Sequence, residues 1–558
     1  MQEDYMSRVN QTPTRTLLGL AAAAALLAAA APGQARAADC ASLAHLALPH
    51  AQIILATPVT GGAFQDDTRL PDGEVHVFRD LPAFCRVRGV SRPTADSEIE
   101  FEVWLPQAGW TRRLHMVGNG GYSSNLYYAQ MAQRLRTGDV AVATNTGHRG
   151  KDLAFGIGHP EKIADFAHRA VHESAVAAKA VTAAYYGQPA AHSYFSGCST
   201  GGYQALMEAQ RYPDDFDGII AGAPGNNRSA LNMAFLWNYQ ANHRAGDDLH
   251  PLLDAEDLKL IDRAVVARCD RLDGVADGVV NDPRICRFDV AALQCAKGRS
   301  AGCLSAEQVA AARRIYAGPR DAGTGKVIYP GYPFGAEGVM ASADDDHPGW
   351  TGYWANPDKP TEPQRVDFFR YWVFDDAKWN WWAFDWGRDV DAVRRKMAAT
   401  FDATSPNLRR FASRHGKLIM FMGWQDPVGA PPEAINYARA VHAATPGADG
   451  FLRLYMVPGM AHCAGGPGAT NFSSATRDST PPVSDAAHDM AIALQDWVEK
   501  GRAPAALIAT HYAGEKADRK VAFQRPLCPY PQVARYRGGP PAQAASFVCA
   551  APKPARKG

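Results

Sequence analysis

The chain has 558 residues, of which 46% are hydrophobic and 21% charged, with a formal net charge of +1. This length exceeds what one hydrophobic core normally holds and predicts two domains, or one domain with a large insertion. The near-zero charge, with no long run of one sign, gives no basis for nucleic acid or an anionic membrane as a partner.

The first segment reads as a targeting element. Arg8 and Arg15 precede the apolar run Leu17 to Ala31, and Ala35-Arg36-Ala37 fits an A-x-A cleavage site. That is the pattern of a secretory signal peptide over residues 1–37, and it predicts a secreted or periplasmic protein. The run is too short and too alanine-rich for a lasting membrane anchor, and no later stretch is long and apolar enough to span a bilayer. Export also changes how the ten cysteines are read. Cys40, Cys85, Cys198, Cys269, Cys286, Cys295, Cys303, Cys463, Cys528 and Cys549 form an even set, which predicts disulfides rather than zinc ligands or free thiols. Spacing does not fix the connectivity, although Cys269 with Cys286 and Cys295 with Cys303 would each close a short loop.

Several short apolar runs end in glycine or polar turns, as buried parallel strands do. Leu114 to Val117 runs into Gly118-Asn119-Gly120-Gly121, and Val140 to Thr144 follows a helical stretch. His192 to Ser196 leads into Gly197-Cys198-Ser199-Thr200-Gly201, and Tyr203 to Arg211 reads as a helix. Gly218 to Ala221 is the next strand. The alternation then lapses from about Asn226 to Ser405 and resumes at Leu418–Met422 and Leu452–Met456. A terminal helix follows, carrying Met490, Leu494, Trp497 and Val498 on one face and stopped by Gly501. The prediction is an α/β-hydrolase fold formed by 38–225 and 406–558, with 226–405 inserted as a lid. The Pro/Ala/Lys-rich tail beyond Pro540 is expected to be loose.

Gly197-Cys198-Ser199-Thr200-Gly201 is a G-x-S-x-G nucleophile elbow in the strand-to-helix context that gives the motif its meaning. In such hydrolases the catalytic residues follow the chain order Ser, Asp, His. Asp426 lies just past a strand in Gly423-Trp424-Gln425-Asp426, and His462 just past the next in Pro458-Gly459-Met460-Ala461-His462-Cys463. Asp485 and Asp489 are rivals by chain order alone. His115, His148, His168 and His172 read as structural or surface residues. Ser199 is the expected nucleophile, His462 the base and Asp426 the residue that orients the imidazole. The backbone N–H of Thr200, with that of Gly120 or Gly121, should form the oxyanion hole. A cysteine beside Ser199 and another beside His462 suggest a disulfide tying nucleophile to base.

A second cluster lies in the insertion. Asp270, Asp273 and Asp277, with the carbonyls of Val275 and Val279, could surround a hard cation. The spacing is not that of an EF-hand, and a solvated Asp/Gly turn explains it equally well.

Gly-Cys-Ser-Thr-Gly-Gly, Gly-Trp-Gln-Asp and Pro-Gly-Met-Ala-His-Cys resemble the hallmarks of the tannase/feruloyl esterase family over nearly the whole mature chain. The resemblance implies an exported serine esterase acting on small aromatic esters, with no organic cofactor. It implies the disulfides Cys40–Cys85, Cys198–Cys463, Cys269–Cys286, Cys295–Cys303 and Cys528–Cys549. It also implies that the aspartate-rich loop holds a structural Ca2+ that braces the lid, remote in sequence from the triad.

Seven of the 12 tryptophans fall between Trp350 and Trp386. Most should pack the lid, and a few could line a slot for an aromatic acyl group. Arg365 and Arg370 could meet a substrate carboxylate, or could equally be surface residues. The leading expectation is a feruloyl- or galloyl-type esterase. Alternatives are a terephthalate-monoester hydrolase, a serine peptidase, or an exported binding module that no longer catalyses.

Overall fold

The apolar runs become strands because they are covered on both faces. Val140–Thr144 and Gly218–Gly222 are buried at every position, and Arg113–Val117 at all but its first. The computed structural model describes residues 38–69, 75–338, 349–476, 479–513 and 519–552. The targeting segment expected over 1–37 lies outside the described residues.

Nine strands form the central sheet: β1 (Ala51–Val59), β2 (Phe84–Ser91), β3 (Ile99–Pro106), β4 (Arg113–Val117), β5 (Val140–Thr144), β6 (His192–Cys198), β7 (Gly218–Gly222), β8 (Lys417–Gly423) and β9 (Leu452–Val457). Their spatial order is β1-β2-β3-β5-β4-β6-β7-β8-β9. The first three are antiparallel to their neighbours, and β4 through β9 are mutually parallel. From β4 the chain runs first outward to β5, then back past itself to β6. This reversal leaves a crevice above the carboxyl ends of β4 and β6, where open α/β sheets place their ligands.

The strands β2 and β3 go unread in the sequence because charged residues interrupt their apolar pattern. Arg86 on β2 and Glu102 on β3 are both buried, joined by an ion pair of 2.7 Å, with Trp104 Nε1 and Tyr128 OH also donating to Glu102. A fully satisfied pair of this kind can sit inside a sheet where a lone charge could not.

Between β7 and β8 the chain leaves the sheet and returns after nearly two hundred residues. The helices Arg228–Asn242, Ala255–Cys269, Ala306–Ala317 and Arg388–Phe401 pack there around a separate hydrophobic core. Trp350, Trp354, Phe368, Phe369, Trp372 and Phe384 of the aromatic block are buried in that core. The expected packing role therefore accounts for much of the block.

All five implied disulfides are formed, and no free cysteine remains. The tail expected to be loose is in part ordered. Phe547–Ala550 pairs antiparallel with Val533–Tyr536, and Cys549 is bonded to Cys528. No helix among the described residues is long and apolar enough to cross a membrane.

Candidate active site

The crevice over β4 and β6 holds a cavity of about 160 Å³ bordered by Ser199, His462, the Gly118–Gly121 loop, Gln130, Thr476 and Arg365. Each of these groups arrives by a separate local device.

Ser199 sits between β6 and the helix Thr200–Arg211 with φ 62° and ψ −119°. A non-glycine residue holds that conformation only when its surroundings over-determine it. Here its N–H donates to the Gly222 carbonyl at 3.0 Å, and its own carbonyl accepts from Tyr203 N–H at 3.0 Å. The flanking glycines are required by contact. A Cβ on Gly197 would lie 2.6 Å from Gly201 backbone, and one on Gly202 would lie 2.1 Å from the Gly222 carbonyl oxygen. The sharp turn that lifts the serine above the sheet follows from these close approaches.

His462 and Asp426 come from loops after adjacent parallel strands, β9 and β8. His462 Nδ1 lies 2.8 Å from Asp426 Oδ2, and both residues are buried. Asp426 Oδ1 accepts the N–H groups of Val428 and Gly429 at 2.8 and 3.1 Å, which fixes the carboxylate plane. The rivals are engaged elsewhere: Asp485 bonds His488, and Asp489 caps the helix Met490–Lys500. Cys198 and Cys463 are bridged with Cα atoms 5.9 Å apart, so the elbow and the base loop are covalently joined.

In the glycine-rich loop, Gly118 N–H donates to the Ser196 carbonyl and Asn119 N–H to Gln204 Oε1. Gly120 and Gly121 border the cavity beside them, and Gly121 has φ +55°. Thr200 is buried at the start of the helix, with its hydroxyl donating to the Gly121 carbonyl at 2.6 Å. Oxyanion donors expected from two distant segments thus belong to one hydrogen-bonded unit.

The four histidines expected to be structural or surface residues are engaged within the fold. His115 is buried against Ser196 Oγ, His148 donates through Nε2 to the Tyr122 carbonyl, His168 pairs with Tyr212 OH, and His172 with Asp215. Burial pushes the His115 imidazole well below its ordinary pKa, with Arg134 and Arg113 adding to the effect.

The two candidate arginines differ. Arg370 is held by Glu362 and Asp367 at 3.1 Å each. Arg365 borders the cavity, packs over the rings of Tyr122 and Phe235, and has a buried Nη1 with no hydrogen-bond partner among the described residues. None of the described aromatic side chains between Trp350 and Trp386 borders this cavity.

The aspartate-rich loop is far from the triad in sequence, but Val280 at its end meets the residue before Asp426. Gln425, immediately before Asp426, donates through Nε2 to the Val280 carbonyl and accepts Gly459 N–H at Oε1, while its own N–H donates to the Met460 carbonyl. One buried side chain therefore staples that loop to the acid and base loops. Sequence reasoning missed Gln425, whose one signal was adjacency to Asp426. Within the loop, Asp270 Oδ1 accepts the N–H groups of Asp277 and Gly278, Asp273 Oδ1 that of Val275, and Asp277 Oδ1 that of Val279. Asp277 Oδ2 is 2.6 Å from Arg525 Nη2. Burial, reinforced by Asp277 and Asp270, pushes the Asp273 carboxyl up to about 6. Among the described residues no group of three acidic, histidine or cysteine side chains converges as a metal cluster. The donor set is nonetheless of the hard-oxygen kind that suits Ca2+.

Known proteins are similar to this chain over most of its length. The sequence profile described as tannase and feruloyl esterase matches residues 85–550. An esterase of Xanthomonas campestris pv. campestris is 39% identical over 95% of this chain and 93% of its own. The mono(2-hydroxyethyl) terephthalate hydrolase of Piscinibacter sakaiensis is 34% identical over 85% of each chain. The crystal structure of feruloyl esterase B from Aspergillus oryzae superposes with a TM-score of 0.83 at 26% identity, covering 92% of this chain and 99% of that one. The chain belongs to the tannase and feruloyl esterase family and is a carboxylic ester hydrolase with an α/β-hydrolase fold.

Proposed function

We propose that the protein is an exported serine esterase that hydrolyses aromatic carboxylic esters through an acyl-enzyme on Ser199. The observation that carries this reading is the strained Ser199 sharing a cavity with His462, whose Nδ1 is held by Asp426 at 2.8 Å. In the reaction Ser199 Oγ attacks the ester carbonyl while His462 takes its proton. The proton then passes to the departing alcohol, and water repeats the sequence on the acyl-enzyme. Asp426 keeps the imidazole in the tautomer whose other nitrogen can act as base. Thr200 N–H and that of Gly120 or Gly121 stabilise the oxyanion. The test is a hydrolysis panel of methyl ferulate, methyl gallate, a terephthalate monoester and a peptide amide, with a serine-directed fluorophosphonate as label. Turnover of the phenolic esters with labelling of Ser199 supports the reading. Peptide cleavage alone would make it a peptidase, and no labelling of Ser199 would make it a binding module.

A terephthalate monoester is the second reading, favoured by one observation. Arg365 brings a guanidinium without an ion-pair partner among the described residues to the cavity wall. Arg365→Leu should then raise KM for the monoester while leaving methyl ferulate unchanged; equal effects on both would dismiss it.

The aspartate-rich loop supports a structural Ca2+ held by Asp270, Asp273, Asp277 and the carbonyls of Val275 and Val279. Binding would draw Asp277 from Arg525. Chelation should lower the melting temperature, and added Ca2+ should restore it. Five complete disulfides support an extracellular or periplasmic site. Sequencing the mature N-terminus tests cleavage near Ala38.

A further inference from the structure

Arg228 opens the helix Arg228–Asn242 and is 1% exposed. Its Nη2 donates to Thr200 Oγ1 at 2.7 Å and to the Gly121 carbonyl at 3.3 Å. Thr200 Oγ1 donates in turn to that same carbonyl. Rings of Tyr122, Tyr203 and Phe401 enclose the guanidinium at 5.2, 5.2 and 5.9 Å. No carboxylate among the described residues forms an ion pair with it, and its Nε has no hydrogen-bond partner among them.

A buried guanidinium without a counter-ion is costly, and a neutral side chain would fill the same space more cheaply. The cost is offset where negative charge develops close by in a water-poor site. The two groups that Arg228 grips belong to the segments that carry the proposed oxyanion donors. Gly121 has a left-handed φ of +55° and, as a glycine, little intrinsic hold on its own conformation. Pinning its carbonyl fixes its ψ and the plane of the peptide that follows.

We propose that Arg228 is a positioning residue for the oxyanion hole: it clamps Gly121 to Thr200 and places an uncompensated positive charge one layer behind the donors. The inference rests on the triad reading above. Its consequence is specific to the transition state. A neutral ester should bind with or without Arg228, but its tetrahedral oxyanion should not be equally stable.

The test compares wild type, Arg228→Met, Arg228→Lys and Thr200→Val on methyl ferulate, with kcat, KM, melting temperature and affinity for phenylboronic acid. In the boronate adduct Ser199 Oγ donates an electron pair to boron and its proton passes to His462, which leaves a tetrahedral anion resembling the intermediate. Loss of a direct oxyanion donor costs about 10²–10³-fold, so Arg228→Met should cost about 10- to 100-fold, in kcat rather than KM. Boronate affinity should fall in parallel. Arg228→Lys should recover part of the loss, since it restores the charge but not the planar fork. Thr200→Val should reproduce part of the loss, and the double variant should fall short of the product of the single effects. Arg228→Lys and Thr200→Val nearly preserve volume and carry the test if Arg228→Met does not fold. Full kcat in Arg228→Met, or reduced kcat with unchanged boronate affinity, overturns the proposal. A wild-type protein inactive on every ester would overturn the functional reading itself, and this inference with it.

Discussion

The sheet and the insertion between β7 and β8 build their parts of the site by opposite means. At the sheet, Ser199, Asp426 and His462 stand directly after strands, and backbone hydrogen bonds, glycine contacts and one disulfide hold them. In the insertion, aromatic side chains pack a separate core, and among its described residues Arg365 alone borders the cavity. The difference teaches that rigid backbone carries the proposed triad while the insertion brings one guanidinium to the cavity wall. Chemistry tolerates little displacement, whereas recognition can be built from a few side chains on a packed layer.

The sharpest way to break this contrast is Ser199→Ala. Loss of the nucleophile should lower kcat by about 10⁶-fold, the scale seen when a serine triad loses its serine. The melting temperature should stay near that of wild type. Robust turnover of methyl ferulate by the variant would remove the sheet's claim to the chemistry.

Phe384→Ala tests the opposite side. Phe384 is 5% exposed and packs in the insertion's core against Phe369, Trp379 and Trp386. Truncating a buried phenylalanine should destabilise by about 3–5 kcal/mol, read from denaturant unfolding. The kcat of the folded fraction should be retained, and a large fall would mean that the insertion core holds the triad geometry.

The Cys198–Cys463 bridge joins residues 265 apart in sequence. Replacing both with alanine should cost about 2–5 kcal/mol. Because the bridge links elbow to base loop, kcat should fall at temperatures where circular dichroism still reports a folded protein. Simultaneous loss of both would reduce the bridge to a general staple.

A further test is a pH dependence seated in the insertion. Burial pushes the Glu337 carboxyl up to about 8, opposed by the hydrogen bond from Tyr316. The folded state therefore keeps a proton that the unfolded chain releases at an ordinary carboxylate pKa. Stability from this group is full below that ordinary value and declines as the pH rises towards about 8. Glu337→Gln should flatten the decline in melting temperature over that window without moving the pH profile of kcat. An unchanged slope in the variant would assign the dependence to other groups.

Much of the candidate site was legible because its signals are local. A G-x-S-x-G between a strand and a helix, an aspartate and a histidine after later strands, and cysteines beside two of the three need only chain order and a parallel sheet. The six parallel strands were readable for the same reason, since burial on both faces leaves an unbroken apolar run. The strands β2 and β3 were not, because Arg86 and Glu102 cancel each other only once the strands pair.

The sequence by itself determined the reaction type, the residues of the proposed triad and the even pairing of cysteines, all of which follow from residue chemistry at short range. Tertiary structure alone decided that Arg365 reaches the cavity and Arg370 does not, and that Gln425 joins the aspartate-rich loop to the base loop. It alone set Arg228 behind Thr200 and Gly121. Each of these depends on which distant carbonyl, carboxylate or ring a side chain meets after folding. Long-range contacts of that kind leave no period or motif in the chain.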